Sequence, residues 1–71
     1  MMTREMKILK ADAQILRYCG FAARADYQMM EIVVRTPMFG WEAAKLADQT
    51  GSAIRVPAEF TKDHSEFAGV V

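Results

Sequence analysis

The feature that most constrains the fold is a strand–helix–strand pattern within residues 28–56. Residues 28–35 alternate in character and contain a β-branched run at 32–34, which favours a strand. Both faces of this strand are largely apolar, so we expect it at the centre of a sheet and covered on both sides. Residues 53–56 predict a second strand, closed by Pro57. The short connections through one helix predict a βαβ unit with parallel strands and a right-handed crossover.

The helix between these strands has two alternative start points. Thr36 can cap it with Pro37 at the first helical position, or it can begin at Gly40. It is expected to run to about Gln49 and to stop at Gly51. One predicted face is apolar and consists of Phe39, Ala43, Leu46 and Ala47; the other is polar and consists of Glu42, Lys45, Asp48 and Gln49.

Residues 3–19 predict a first amphipathic helix. Thr3 can cap its start, and Gly20 can end it in a left-handed conformation. A strand over residues 6–11 is the alternative, but the adjacent apolar residues Ile8 and Leu9 break the alternation of a strand, which favours the helix. Polar residues at spacings of three and four form one stripe, consisting of Lys7, Lys10, Gln14 and Arg17. Apolar residues cover most of the remaining circumference and indicate a broad buried face, formed by Ile8, Leu9, Ala13, Ile15, Leu16 and Cys19.

The other segments are less regular. Residues 21–26 fit either a loop or a short additional helical turn. Residues 61–71 are expected to form either a flexible tail or, at residues 67–71, an added edge strand. The whole chain, residues 1–71, therefore predicts one small α+β domain of order α-β-α-β, to which the second of these alternatives adds a short C-terminal edge strand.

Composition restricts the classes of function. Nine basic and nine acidic side chains give a net charge of zero, whereas dedicated nucleic-acid binders usually carry a basic excess. A single cysteine excludes an intrachain disulfide, so the pattern is not that of a disulfide-stapled secreted scaffold. No apolar run approaches the roughly 18 residues of a membrane span, and the first residues do not read as a signal peptide. A cytoplasmic location is the expectation.

The sequence offers little for catalysis or metal binding. Cys19 and His64 are the only thiol and imidazole. We expect Cys19 to pack in the core rather than form a dyad, which needs an exposed thiolate beside a base. Zinc sites usually take three or four protein ligands rich in Cys and His, and the carboxylates show no paired spacing. The prediction is a protein without an enzymatic activity, a catalytic residue, a metal site or a cofactor.

The preferred candidate site is Trp41 together with Met38. On a helix that starts at Pro37, both point with Glu42 and Lys45, away from the apolar face. An exposed Trp is typical of an interface hot spot, and Met adapts to the contours of a partner. The alternative is that the first helix, residues 21–26 or the tail covers them. If the helix starts at Gly40, Met38 no longer shares this face.

Two other features suggest nucleic acid. The basic stripe Lys7, Lys10 and Arg17 could meet phosphates or an acidic protein surface, although no aromatic residue interleaves it. Residues 43–60 faintly resemble a helix-turn-helix with a recognition helix at residues 53–60. Proline and β-branched residues in that second segment favour a strand instead.

We therefore expect a non-enzymatic protein-protein interaction module, a small regulator or inhibitor that binds a larger protein. In size, neutrality and lack of motifs the chain is similar to many small phage or mobile-element proteins, including anti-CRISPR and other anti-defence inhibitors; the similarity is one of class, and no residue pattern carries it. The alternatives are a small DNA-binding regulator that uses residues 43–60 or the basic stripe, and a homodimeric structural subunit.

Overall fold

The computed structural model describes residues 1–62, which form two helices interleaved with short strands. The helices are α1 (Arg4–Tyr18) and α2 (Gly40–Thr50); the strands are β1 (Ala23–Asp26), β2 (Glu31–Val34), β3 (Met38–Phe39), β4 (Ile54–Arg55) and β5 (Thr61–Lys62). A 3₁₀ turn, Ala58–Phe60, precedes β5. This order of a helix, strands, a helix and strands confirms the α+β class. The tail strand considered at residues 67–71 lies outside the described residues.

β2 is the central strand of a three-stranded sheet with the order β1-β2-β4. It runs antiparallel to β1, with Ala23 opposite Val34, and parallel to β4, with Ile32 opposite Ile54. The predicted parallel βαβ unit is therefore present as β2, α2 and β4. A second, two-stranded sheet pairs β3 with β5 in parallel, and Met38 lies opposite Thr61. That pairing makes β5 the short C-terminal strand within the described part of the chain.

The helices cover one face of the three-stranded sheet. The buried core joins Leu9, Ala13 and Leu16 of α1 to Ile32 and Val34 of β2, while Ala43 and Leu46 of α2 pack against its margin. Because successive side chains of a strand point to opposite faces, Glu31 and Val33 lie on the other face and are only half-buried. The prediction of a central strand is confirmed. Within residues 1–62 the second face is less buried than the first, so cover on both sides stays a prediction.

α1 begins and ends as the sequence predicts. Thr3 Oγ1 accepts a hydrogen bond from the backbone N–H of Met6 at 3.2 Å, and Gly20 has a φ of 98°. The buried face is narrower than expected, because it contains only Leu9, Ala13 and Leu16. Three residues assigned to that face are exposed instead: Ile8, Ile15 and Cys19. They lie on a side of α1 that does not face the sheet, so they do not contact the core.

α2 begins at Gly40, which was one of the two predicted starts, and Thr36 and Pro37 do not initiate it. Thr36 Oγ1 instead accepts the backbone N–H of Ala22 at 3.0 Å and so fixes the start of β1. Residues 38 and 39 form strand β3 instead, so the helix begins directly after that strand. Gly51 ends it in the left-handed conformation with a φ of 82°, as predicted.

Residues 23–26 form an edge strand, not the loop or helical turn that the sequence left open. The backbone N–H of Arg35 donates to the carbonyl of Ala22 at 2.9 Å and extends the ladder beyond β2. On the outer edge, Arg17 Nη1 donates to the carbonyl of Ala23 at 2.9 Å. Arg17 therefore satisfies a strand-edge acceptor that would otherwise be open to another chain.

Candidate partner-binding surfaces

Trp41 lies in the first turn of α2, beside a shallow depression of about 310 Å³. We call the lining of this depression the Trp41 surface; it consists of Phe21, Trp41, Glu42, Lys45, Leu46 and Gln49. Apolar groups form its floor, since Phe21 and Leu46 also pack against the core. Polar side chains of α2 form its rim. This arrangement of an apolar centre and a polar rim is typical of protein interfaces.

Trp41 is the dominant exposed feature of this surface. Its relative exposure is 62%, whereas a large aromatic side chain more often contributes to a core. It faces outward because α2 begins at Gly40, so Trp41 occupies the second helical position while Ala43 and Leu46 turn toward the sheet. The prediction of Trp41 on the side of α2 away from the core is therefore consistent with its position.

Met38 does not belong to the Trp41 surface, and its assignment there is wrong. The side chain is buried to 2% exposure in the hydrophobic core. Strand β3 is the physical reason, because it takes Met38 out of the helix and points its side chain inward. The sequence contained the signal for this outcome: a start at Gly40 removes the helical relation between Met38 and Trp41.

Glu42 and Lys45 are placed beside Trp41, but in different roles. Glu42 Oε1 accepts the backbone N–H of Phe39 at 3.0 Å, so this carboxylate holds the first turn of α2. Lys45 is exposed and makes no ion pair or hydrogen bond with the residues that the structure describes. Lys45 is therefore the rim charge that a partner could engage without disturbing the helix.

A second apolar surface was missed in the sequence. Ile8, Ile15 and Tyr18 are exposed by 50%, 54% and 83% and follow one another along the outer side of α1. We call these three residues the outer stripe of α1. Their spacing of seven and three residues places them on one face of a helix. The signal was an apolar arc wider than one core contact can bury, which predicts two apolar faces rather than one.

The basic stripe lies next to this outer stripe, and its members differ in their contacts. Lys7, Lys10 and Arg17 are all exposed. Arg17 is also held by its hydrogen bond to Ala23, whereas the two lysines make no hydrogen bond or ion pair within residues 1–62. The stripe is thus an ordered surface at its C-terminal end and a pair of solvated charges at its N-terminal end.

The alternative sites fare differently. Residues 53–60 form strand β4 and a 3₁₀ turn, so the recognition helix required by a helix-turn-helix is not formed. Cys19 is the C-cap of α1 and is exposed, which corrects its assignment to the core; His64 lies outside the described residues. Within residues 1–62, no group of three or more His, Cys, Asp and Glu side chains is arranged so that it could hold a metal ion.

Comparison with protein-family models, with curated proteins and with solved structures gave no match. Among the described residues, neither helix has the length and apolar character needed to cross a membrane.

Proposed function

We propose that this protein is a non-enzymatic interaction module that binds a larger protein through the Trp41 surface. The observation that carries the proposal is the exposure of Trp41 above a depression floored by Phe21 and Leu46. Tryptophan is enriched among the residues whose truncation most weakens protein complexes, because it buries a large area at a small cost in side-chain entropy. As a regulator or inhibitor, the protein would act by occupying its partner's surface.

The polar groups around Trp41 favour binding of a partner in one orientation. Lys45 and Gln49 provide exposed polar groups from successive turns of α2, and Glu42 keeps the first turn closed through its bond to Phe39. A partner would meet an aromatic side chain carried by a capped helix, so little backbone ordering would be required on binding. An acidic group of the partner would be complementary to Lys45.

The test uses the single tryptophan of the chain as its own probe. Affinity capture would identify a partner, and titration with that purified partner would follow the fluorescence of Trp41. We expect a blue shift on binding, and a loss of about 30-fold or more in affinity for Trp41→Ala, as for a hot spot worth about 2 kcal/mol. Tyr18→Ala is the matched control, because it removes another exposed aromatic from α1.

Binding by Trp41→Ala with the affinity of the wild type, or an unchanged emission spectrum at saturation, would contradict the proposal. If Tyr18→Ala rather than Trp41→Ala abolishes binding, the interface lies on α1 instead. Circular dichroism of each variant checks that the helices are retained.

A second candidate function, assembly into a homodimer, is favoured by one specific observation. The outer stripe of α1 exposes Ile8, Ile15 and Tyr18 along one helix face, and a second copy could bury it. Sedimentation at increasing protein concentration would then show a mass that rises toward twice that of one chain, and Ile15→Glu would keep the protein monomeric. A constant monomer mass up to high concentration would exclude this candidate.

A further inference from the structure

The edge of the three-stranded sheet along β1 carries a depression that neither of these functions uses. It has a volume of about 700 Å³ and is lined by the whole of β1, the end of β2 and the last turn of α1. Three arginines contribute to it, namely Arg17, Arg24 and Arg35. One carboxylate, that of Asp26, is also in the lining, which leaves a net charge of +2. We call this feature the arginine depression.

The sheet register brings two of these guanidinium groups together. Arg24 lies opposite Val33, and Arg35 follows two residues after Val33, so both side chains belong to the face of the sheet that carries Val33. Such diagonal neighbours are about 7–8 Å apart, and their Cβ atoms are somewhat closer. Arg17 is directed to the same edge by its hydrogen bond to the carbonyl of Ala23. Three like charges thus converge on one small area.

The carboxylates nearby do not neutralise these arginines. Asp26 Oδ1 accepts the backbone N–H groups of Gln28 and Met29 at 3.0 and 3.2 Å, so it holds the turn between β1 and β2. Glu31 pairs with Arg55 at 3.2 Å. Within residues 1–62, neither Arg24 nor Arg35 forms an ion pair. Grouped charges of one sign repel each other, and an anionic ligand would relieve that repulsion.

The residue types favour a phosphate-bearing ligand that also offers planar groups. All the cations in the lining are arginines, which bind phosphate through two parallel N–H groups and stack on flat rings. Tyr27 and Val33 supply a partly exposed ring and an apolar floor in the same depression. A positive groove with an aromatic residue on which bases can stack is the usual design for single-stranded nucleic acid.

We propose that the arginine depression binds a short single-stranded nucleic acid: Arg24 and Arg35 contact neighbouring phosphates, and Tyr27 stacks against a base. This site shares Arg17 with the basic stripe, but its other residues belong neither to that stripe nor to residues 43–60, where the sequence suggested nucleic-acid binding. It shares no lining residue with the Trp41 surface.

The test measures fluorescence anisotropy of labelled single-stranded oligonucleotides, one of RNA and one of DNA, at low and rising salt. We expect Arg24→Gln/Arg35→Gln to weaken binding at least tenfold. The slope of the logarithm of the binding constant against the logarithm of the salt concentration should become shallower by about 1.4, since each single-strand phosphate contact contributes about 0.7 to it. The matched control is Lys7→Gln/Lys10→Gln, which removes the same charge from α1 and should change affinity by less than about twofold. The RNA and DNA arms identify which backbone is preferred.

Two further arms separate nucleic acid from other anions. Tyr27→Leu should weaken binding of the oligonucleotide by about fivefold or more while leaving binding of inorganic tripolyphosphate unchanged, because only the oligonucleotide has bases to stack. An acidic peptide of equal charge should bind more weakly than the oligonucleotide. The proposal is overturned if wild-type protein does not bind at low salt, if both double variants weaken binding equally, or if the peptide or tripolyphosphate binds as tightly as the oligonucleotide. Circular dichroism and thermal melting confirm that each variant is folded.

Discussion

The two helices within residues 1–62 have similar amphipathic sequences but are attached to the fold in different ways. α1 places Leu9, Ala13 and Leu16 in the core, whereas none of the residues of α2 is fully buried. α2 touches the core only through half-buried side chains such as Ala43 and Leu46. A helix with few fully buried contacts tends to open at lower free energy than one anchored in the core. We infer that α1 supports the fold and that α2 presents a surface.

The strands beneath the helices account for this difference. α1 lies across β1 and β2, which have four paired residues each, whereas α2 is flanked by strands of two residues, β3 and β4. A longer strand pair offers a continuous apolar floor, and a two-residue strand does not. Core burial therefore concentrates under α1, which leaves the outward side of α2 free for Trp41.

The largest expected effect contrasts one leucine from each helix. Leu16→Ala removes a side chain of 3% exposure from the core and should lower the free energy of unfolding by about 2–5 kcal/mol. Leu46→Ala, at a half-buried position, should cost roughly 1–2 kcal/mol. Urea denaturation followed by circular dichroism measures both. Ile15→Ala is the exposed control and should change stability by no more than about 0.5 kcal/mol. Equal losses for Leu16 and Leu46 would remove the distinction between the helices.

A smaller effect is expected where α2 ends and begins. Gly51→Ala should cost about 1 kcal/mol, because Gly51 has a φ of 82° that an L-residue adopts only with strain, although the added Cβ meets no atom within 4 Å. Gly40→Ala is the matched control: it also meets no atom, and its helical conformation suits alanine, so a gain of about 0.5 kcal/mol is expected. Thermal melts of the two variants should shift in opposite directions. A gain for both would mean that Gly51 relaxes without strain.

Substitutions at the N-terminal ends of the two helices should have effects of similar or slightly smaller size. Thr3→Ala removes the acceptor for the Met6 N–H and should destabilise the protein by about 1 kcal/mol, whereas Thr3→Ser should behave as wild type. Glu42→Ala, which removes the carboxylate that accepts the Phe39 N–H at the start of α2, should cost roughly 0.5–1 kcal/mol. Urea midpoints measure each change. A larger loss for Glu42→Ala would show that α2 depends on its first turn more than α1 does.

Much of this architecture could be predicted from local patterns. Gly20 and Gly51 marked the ends of both helices because a left-handed residue at a helix end favours glycine. The β-branched residues 32–34 marked the central strand, and the spacing to Ala53 indicated the parallel crossover. These signals are local, so they survive without knowledge of what packs against them.

The errors arose where tertiary pairing decided the outcome. Met38 was assigned to a helix face, but pairing with Thr61 makes it part of a strand and directs its side chain into the core. Residues 23–26 contain no strong strand former, and they become a strand because β2 and Thr36 supply their hydrogen-bond partners. Ile15 and Cys19 had the right character for burial but lie beyond the reach of the three-stranded sheet under α1. Hydrophobic character alone does not specify which partner a residue meets.

The smallest effect on stability is expected at Trp41, and it separates a surface role from a structural one. Trp41 and Leu46 line the same depression on α2, but Trp41 is exposed by 62% while Leu46 packs against the core. Trp41→Ala should therefore lower the free energy of unfolding by less than about 1 kcal/mol, below the loss for Leu46→Ala, because most of its area stays in contact with water on folding. Urea denaturation followed by circular dichroism tests this ranking without the tryptophan signal. If Trp41→Ala destabilises the protein more than Leu46→Ala does, Trp41 contributes to packing, and its exposure would no longer indicate a binding residue.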